Sequence, residues 1–598
     1  MGDMGDMGTI TNLKSKVLNL KLLFCLLLAA YSFAATNYVW QGSSTPTPPY
    51  NSWETAAHNI QDAVNSAIEG NVVLVTNGSY TLFDYIRIYT NDIILKGLSG
   101  AVETEIIGDT SLAQCIYLQG ISTVDGFTIK NGKRGIYISN GGMIKNCIIT
   151  NNIYSWGYGS AVYAQKATIS NCYLAGNTAF QGGAVHLRSD CLVEDCVIEN
   201  NTANNGGGIS FSEINSVVKN CIIKNNTATN GSSNGGGIFC GNTGPENLIT
   251  NCYIKNNQAK LGGGVYLKDS AMLNCVIENN YATDNGAGIY LNNSGIVSDC
   301  SISNNVAYIR GGGAYCNTGG EIFNCLFTSN SAEYGGGINC IINGSVTECQ
   351  FINNNAVYYG GGAYVNSGAS FSKCIFLENS ANNYGGGVYT FWGGSFTDCV
   401  ISNNNSLLSG GGTSCNRGGS FTNCLVNDNF SLLYGGGSSF NLGGEMYNCT
   451  VTKNTANRAG GGIYSVNGAK IINTIIYNNT AVASNENCQA SGSNIVYSFC
   501  CTIPITNLPN SYGCMTNNPE FISQINDFHL EDFSPCRNAG TNMAWMIGAT
   551  DLDGNPRLTG GTVDIGCYEF IPEPGAFGAV ISYLLLVIGR KKFKFIKI

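Results

Sequence analysis

The stretch NCLFTSNSAEYGGG, residues 324–337, contains in order a cysteine, an asparagine five residues later, an alanine and three glycines. Similar stretches begin at residue 274 (NCVIENNYATDNGAG) and residue 373 (KCIFLENSANNYGGG). The cysteines of the series, most of them 24 or 25 residues apart, are Cys147, Cys172, Cys196, Cys221, Cys252, Cys275, Cys300, Cys325, Cys349, Cys374, Cys399, Cys424 and Cys449. Thr474 takes the next place, and an asparagine stands five residues after every one of these positions, from Asn152 to Asn479. This period predicts a repeat array in which each copy buries its surface against its neighbours.

The local alternation of apolar and polar residues indicates what each copy forms. GGGVYLK, residues 262–268, alternates apolar and polar positions after its glycines, and similar short runs flank each cysteine. Alternation over a few residues, broken by Asn and Gly, predicts short strands, and no copy has room for a helix of about ten residues. We therefore predict an all-β fold. It is a single-stranded right-handed parallel β-helix of three strands and about 25 residues per coil, with an N-terminal helical cap and a C-terminal β cap.

In such a stack every position of the repeat becomes a column with a spacing of about 4.8 Å. The asparagine column is expected at a turn, since Asn tolerates left-handed backbone angles and its amide bonds to the neighbouring coil. The cysteine column is expected to point inward as packing, because stacked Cβ atoms are too far apart for disulfides. Beyond the column, pairing remains open among Cys488, Cys500, Cys501, Cys514, Cys536 and Cys567.

Both ends of the array need covers, because open strand edges recruit further strands. Residues 54–69 predict an amphipathic helix whose apolar face contains Ala57, Ile60, Ala63, Val64, Ala67 and Ile68. The cysteine spacing stops after Asn479, where a different module begins. The predicted organisation is a signal peptide (1–35), an N-terminal cap with the first coils (36–110), β-helix repeats (111–485), a C-terminal cap (486–571) and a tail (572–598).

The two termini carry processing signals. KSKVLNLKLLFCLLLAAYSFAA, residues 14–35, has the basic start, apolar run and small-residue exit of a secretory signal peptide. The tail contains Pro572, Glu573 and Pro574, then an apolar run shorter than the ~20 residues of a membrane helix, which suits a transient or short anchor. It ends in a basic cluster that contains Arg590, Lys591 and Lys592.

This tail resembles the PEP-CTERM sorting signals of Gram-negative bacteria, which have the same three parts in the same order. The resemblance implies an exosortase-type processing enzyme as partner. It also implies delivery to the cell surface, outer membrane or extracellular matrix.

The segment before the tail resembles the closing module of bacterial surface proteins called choice-of-anchor Q. The matching residues are Asp551, Gly554, Pro556, Arg557, Asp564, Ile565, Gly566, Tyr568 and Glu569. Asp551, Asp553 and Asn555 form a weak candidate calcium loop, with fewer oxygen ligands than the ion takes. A pair between Arg557 and a carboxylate that closes the cap is the alternative.

The repeats resemble those of chlamydial polymorphic outer membrane proteins, which alternate F-x-x-N with G-G-A-[ILV]. The first motif occurs at residues 327–330, 351–354 and 376–379, and the second at residues 182–185. The likeness extends from residue 147 to about 481 and implies a coil geometry.

Charge and composition limit the function. The formal net charge is −9, and without the two terminal segments 21 basic residues face 36 acidic ones, so we exclude nucleic-acid binding. We predict no cofactor. Polysaccharide hydrolases need two neighbouring carboxylates, and lyases need a base. Asp195, Asp299 and Asp398, however, are expected four coils apart in one outward column. We predict an exported, surface-sorted structural, adhesive or glycan-contacting protein, with a polysaccharide lyase or glycoside hydrolase acting in an outer groove as the alternative.

A tyrosine recurs at the second position after the glycines in seven copies. Exposed rings at coil spacing could stack on sugar faces, although Tyr also simply suits strands and shields the backbone. The candidate glycan contacts, to extracellular polysaccharide or a neighbouring cell surface, are Tyr266, Tyr290, Tyr315, Tyr364 and Tyr389. Two longer turns, TATNGSSN (227–234) and GNTGPEN (241–247), break the period, and we expect a contact surface near them and Tyr266.

Overall fold

A computed structural model describes residues 35–89, 92–241, 246–505 and 508–572. The predicted signal peptide, apart from Ala35, and the predicted sorting tail, apart from Pro572, lie outside these ranges. The tail residues Glu573, Pro574, Arg590, Lys591 and Lys592 are among them. Within the described ranges, no helix has the length and hydrophobicity required to span a bilayer.

The chain forms a right-handed parallel β-helix of about 17 turns with about 25 residues per coil, as predicted. A typical coil contains Glu321–Phe323 in sheet 1, Leu326–Thr328 in sheet 2, Ser331–Tyr334 in sheet 3 and Ile338–Ile342 in sheet 4. Each strand pairs in parallel with the strand at the same position of the next coil. The coil therefore has four strands and not the predicted three, because the residues around the repeated alanine also pair from coil to coil.

The four sheets have different extents. Sheet 1 runs from Thr36–Val39 to Ser511–Tyr512, and sheet 2 from Gly78–Thr81 to Cys501–Thr502. Sheet 3 begins later, at Ile153–Tyr158, and ends at Thr480–Ala481. Sheet 4 runs from Ile86–Ile88 to Cys488–Ala490. Parallel stacking thus begins before the helical cap and continues beyond the last repeat asparagine.

The bends of the coil are made by residues with left-handed backbone angles. In the typical coil these are Asn324, Ser329, Gly335 and Asn343, with φ of 49°, 55°, 67° and 49°. A Cβ on Gly335 would lie 2.3 Å from a carbonyl oxygen, so this corner requires glycine. The prediction that the column asparagine itself is left-handed is wrong. The residue before it makes the bend, which turns the asparagine side chain inward.

The asparagine column is a buried amide ladder. In Asn330, which is fully buried, Nδ2 donates to the carbonyl of Ile302 (2.9 Å) and to Oδ1 of Asn354 (3.0 Å). Its own Oδ1 accepts from the backbone N–H and Nδ2 of Asn305, both at 3.0 Å. The same pattern continues to Asn479, which donates to Asn487. In each coil the ladder thus pairs one backbone N–H and one backbone carbonyl next to the bend between sheets 2 and 3.

The cysteine column packs inside the coil, as predicted. Cys325 Sγ donates to the carbonyl of Phe323 at 3.2 Å and accepts from the N–H of Cys300 at 3.5 Å. Burial raises the pKa of the Cys424 and Cys449 thiols well above the usual range. Every cysteine in the described ranges is unpaired, and this includes Cys488, Cys500, Cys501, Cys514, Cys536 and Cys567.

The N-terminal cap contains a helix shorter than predicted, Ile60–Ser66, whose N-cap Asn59 accepts from the N–H of Asp62 at 2.9 Å. Ile60, Ala63 and Val64 are buried against the first coils. The sequence predicts Ile68 on the buried face of the helix, but Ile68 is 69% exposed because the helix ends at Ser66.

The C-terminal cap folds back over the outer face of sheet 2. It contains the antiparallel strands Phe521–Ser523 and Asp527–Leu530 and the 3₁₀ helix Ala544–Met546. Three asparagines in the turn column just before the cysteines hold it in place. Their Nδ2 atoms donate to cap carbonyls: Asn423 to Thr550 (2.8 Å), Asn448 to Asp564 (3.2 Å) and Asn473 to Thr541 (2.9 Å).

Candidate functional site

The outward side chains of sheets 3 and 4 meet across the glycine bend. The Tyr364 ring of sheet 4 lies 5.9 Å from Tyr334 of sheet 3, and the Tyr389 ring lies 4.8 Å from Tyr359. We call this surface the aromatic corner; its rings are Tyr137, Tyr163, Tyr266, Tyr290, Tyr315, Tyr334, Tyr359, Tyr364, Tyr384 and Tyr389.

Rings on successive coils of the aromatic corner stack on one another. The Tyr266 and Tyr290 centroids are 4.9 Å apart with planes within 8°, and Tyr364 and Tyr389 are 5.3 Å apart. These separations follow the spacing between coils. The column of tyrosines predicted from the sequence is therefore present and points away from the coil interior.

The expected exposure of these rings is wrong for three of the five candidates. Tyr290, Tyr315 and Tyr389 are only 8%, 7% and 5% exposed. Neighbouring rings pack against all three. Tyr266 and Tyr364 remain half-buried, with part of each ring open to solvent. Burial raises the pKa of all five phenols, so they stay protonated at neutral pH.

His186 occupies a tyrosine position of the aromatic corner, which sequence reasoning did not single out. Its ring stacks 5.3 Å from Tyr163, and Nδ1 lies 2.8 Å from Oγ of Ser210. Both residues are buried, and burial lowers the pKa of His186 to about 3. The pair is thus a packed polar contact and a poor proton acceptor.

The two longer turns flank one strand of the aromatic corner, Ile238–Cys240. The Phe239 ring lies 5.3 Å from Tyr266, and Ser233 of the first turn accepts a hydrogen bond at Oγ from the N–H of Lys260, in the coil of Tyr266, at 3.0 Å. Residues 242–245 of the second turn lie outside the described residues. The contact role of these turns stays a prediction.

The outward aspartates do not meet. Asp195, Asp299 and Asp398 occupy left-handed turn positions. Each accepts a hydrogen bond from the asparagine of the next coil, at 3.2 Å for Asp195 and 3.1 Å for Asp398. Glu348 occupies the same column, two coils from Asp299 and two coils from Asp398. No two neighbouring coils therefore carry carboxylates in this column.

A cleft of about 410 Å³ lies where the C-terminal cap ends on the coil. We call it the cap cleft; it is lined by Thr397, Asp398, Thr422, Asn423, Trp545, Gly548, Ala549 and Thr550. Burial raises the pKa of Asp398, and the hydrogen bond from Asn423 opposes that effect. No local sequence pattern could predict this site, because its two sides come from distant parts of the chain.

The candidate calcium loop is a hydrogen-bonded turn. Asp551 Oδ1 accepts from the backbone N–H groups of Asp553 (3.0 Å) and Asn555 (2.7 Å), and Oδ2 accepts from that of Glu569 (2.9 Å). Asp553 Oδ2 lies 2.6 Å from Nε2 of His529. In the part of the chain that the structure describes, no three His, Cys, Asp or Glu side chains converge as a metal site.

The predicted pair between Arg557 and a carboxylate is confirmed. Arg557 Nη1 donates to Glu569 Oε1 at 2.7 Å, and Nε donates to Oδ1 of Asn423 at 3.0 Å. The guanidinium therefore joins the cap to the turn column that borders the cap cleft.

Comparisons with known proteins agree with this architecture. A family model described as a right handed beta helix region matches residues 114–258 and 225–356. The sequence and the structure are those of a right-handed β-helix repeat protein. A model of the Chlamydia polymorphic membrane protein repeat matches residues 448–466, inside the region where that resemblance was predicted. A comparison with curated protein sequences gives no match.

Several solved structures are similar at low identity. Pectate lyase Pel9A is 12% identical, with 90% of this chain and 98% of that chain covered and a TM-score of 0.21. The catalytic domain of a GH87 α-1,3-glucanase is 13% identical, with 73% and 67% covered and a TM-score of 0.31. An N-terminal fragment of gene product 12 of bacteriophage phi29 is 11% identical, with 79% and 95% covered and a TM-score of 0.28. At these values we draw no conclusion from them about what this chain does.

Proposed function

We propose that this β-helix repeat protein is exported, sorted to the cell surface and acts there as a structural or adhesive element that contacts glycans. The signal-peptide pattern and the three-part tail support export and sorting. The match to a repeat of chlamydial polymorphic membrane proteins supports a surface or outer-membrane location. In this proposal an exosortase-type enzyme processes the tail.

The aromatic corner is the observation that carries the proposed glycan contact. Its rings follow one another at coil spacing, as in the stack of Tyr137 on Tyr163 at 4.7 Å, and the half-buried Tyr266 and Tyr364 keep part of their surface open to solvent. Stacked, rigid aromatic side chains offer contact area at little entropic cost. About 17 coils make a shaft roughly 80 Å long at the spacing of parallel strands, so weak contacts along it would add up.

Binding of the full chain to an array of extracellular polysaccharides tests this proposal. We expect weak retention that falls when the half-buried Tyr266 and Tyr364 are both replaced by alanine. Tyr253→Ala is the matched control, since Tyr253 is also half-buried and outward but lies in sheet 2. No retained glycan, or equal retention by all three proteins, would refute the role of the aromatic corner.

A further inference from the structure

The cap cleft lies at the boundary between covered and open coils. Asn473, Asn448 and Asn423 belong to one turn column, and the cap is hydrogen-bonded to each of them. Asp398 is the next residue of that column, one coil further toward the N-terminus. It is half-buried and lines the cleft together with the tip of the cap. The cap therefore closes the cleft on the side of Asn423, and the cleft is open toward the uncovered coils on the N-terminal side.

The polar groups of the cap cleft are held before any ligand arrives. Buried Arg557 donates from Nε to Asn423 Oδ1 at 3.0 Å. Asn423 Nδ2 in turn donates to Oδ1 of Asp398 (3.1 Å) and to the carbonyl of Thr550 (2.8 Å). In the described part of the chain no donor is hydrogen-bonded to the other carboxylate oxygen of Asp398, Oδ2. That oxygen remains available as an acceptor at a fixed position.

The remaining lining residues add hydroxyl groups and one indole ring. Thr397 and Thr422 are register partners in neighbouring strands of sheet 1. Trp545 is half-buried, and its Nε1 donates to Sδ of Met543 at 3.3 Å, which holds the indole in place. The residues that line the cleft include no lysine or arginine. The two cations close enough to lower the pKa of Asp398 are Lys373, one coil away in the same column, and Arg557, which is paired with Glu569. Carboxylate, hydroxyl and indole groups together suit a ligand with hydroxyl groups and an apolar face.

We propose that the cap cleft binds one neutral sugar residue, with sugar hydroxyls donating to Asp398 and the apolar sugar face on Trp545. The volume of about 410 Å³ lies at the small end of the range for small-molecule sites, roughly 300–1,000 Å³. The site borders sheets 1 and 2 and is separate from the aromatic corner between sheets 3 and 4.

The arrangement favours binding over cleavage. Glycoside hydrolysis uses two carboxyl groups on either side of the bond. The cap cleft presents only Asp398, and both oxygens of nearby Asp551 already accept backbone N–H groups. The cleft thus lacks a second available carboxylate among the residues that line it.

Calorimetric titration of the full chain with D-glucose, D-galactose, D-mannose and N-acetyl-D-glucosamine tests the site, with D-glucuronate and inorganic phosphate as anionic probes. We expect at least one neutral sugar to bind and neither anion to do so. Asp398→Asn and Trp545→Ala should each weaken binding at least about tenfold, because a charged acceptor or the stacking surface is lost.

Asp195→Asn is the matched control, since Asp195 has the same left-handed turn position and the same asparagine partner from the next coil, away from the cap. Asparagine is common at this turn position, so Asp398→Asn is expected to fold, and circular dichroism checks this. Absence of binding by all four neutral sugars, or binding unchanged by both cleft substitutions, would overturn the proposal. If the variant with both Tyr266 and Tyr364 replaced loses polysaccharide retention but still binds the monosaccharide, the aromatic corner and the cap cleft bind independently.

Discussion

Arg557 and Glu569 form an ion pair of 2.7 Å whose side chains are 0% and 2% exposed. The guanidinium also donates to the carbonyl of Gly566 at 2.7 Å and to Asn423 of the coil. Burial pushes the pKa of Glu569 up, and the Arg557 guanidinium beside it opposes that effect. One buried arginine therefore fixes both the cap and the turn column on which it rests.

Removal of one partner of this pair should loosen the cap. Glu569→Ala leaves the Arg557 charge buried and unpaired, which costs about 3–5 kcal/mol. Amide hydrogen exchange of the cap measures the local opening free energy. Lys219→Ala, which removes an ion pair whose side chains are 38% and 23% exposed, is the control and should cost at most about 1 kcal/mol. Equal protection of the cap in both variants would contradict the role of Arg557.

The amide ladder should make column asparagines far more sensitive than surface ones. Asn330→Ala leaves the buried backbone N–H of Asn305 without its acceptor, which costs about 1–3 kcal/mol, and also removes the ladder bonds to Ile302, to Asn354 and from Asn305 Nδ2. The exposed Asn382 is the control, and Asn382→Ala should change the free energy of unfolding by less than about 0.5 kcal/mol. Denaturant unfolding of both variants measures the difference. Similar losses in the two would mean that the ladder does not hold the bends.

The coil can be predicted from the sequence because each turn is determined by residues close together in the chain, and the same residue pattern recurs in every turn. The spacing of Cys325 and Asn330 is sufficient to place both inside a parallel stack. The sequence predicts the left-handed bend at Asn330, but the bend lies one residue earlier, at Ser329. Asparagine is suited both to a bend and to a buried amide ladder, so the residue type alone does not distinguish the two. The burial of Tyr290 and Tyr315 depends on how sheets 3 and 4 meet, which alternation within one strand does not encode. Trp545 and Asp398 line the same cleft only because the cap folds back onto the coil, and no periodicity of the sequence relates them.

The buried thiols should be unreactive in the folded protein. Cys325→Ala in mid-column should cost on the order of 1 kcal/mol through a small cavity. Iodoacetamide labelling followed by mass spectrometry should find Cys514 modified first, since it is half-buried and the hydrogen bond from Cys500 lowers its pKa to about 7. Column cysteines should react only after denaturation. Disulfides among the column cysteines in native protein would contradict this assignment.

The cap should weaken at alkaline pH. His529 lies 2.5 Å from Asp527 and 2.6 Å from Asp553 and stacks on Tyr568 at 4.0 Å. Burial lowers the pKa of His529, but the two carboxylates outweigh this and raise it to about 9. Because the pKa of His529 is raised in the folded state, protonation of His529 stabilises the fold, fully so below its unfolded pKa of about 6.5. This stabilisation is lost as the pH rises through about 9.

Amide hydrogen exchange of the cap, measured from pH 6 to pH 10 and corrected for the intrinsic exchange rate, gives this loss of stability. The upper end of the range lies about one pH unit above the folded pKa of His529. His529→Gln keeps a hydrogen-bonding side chain without a titratable charge and should flatten the profile. A profile equally steep in His529→Gln would assign the loss to other groups.

We propose that this protein holds glycans without cutting them. Incubation of the purified full chain with a panel of polysaccharides, followed by assay of the bound and released fractions, tests it most directly. We expect weak retention with no unsaturated uronate and no new reducing ends. Clear turnover, abolished by replacing Asp398 or another outward carboxylate, lysine or arginine, would contradict it and establish a polysaccharide lyase or glycoside hydrolase instead.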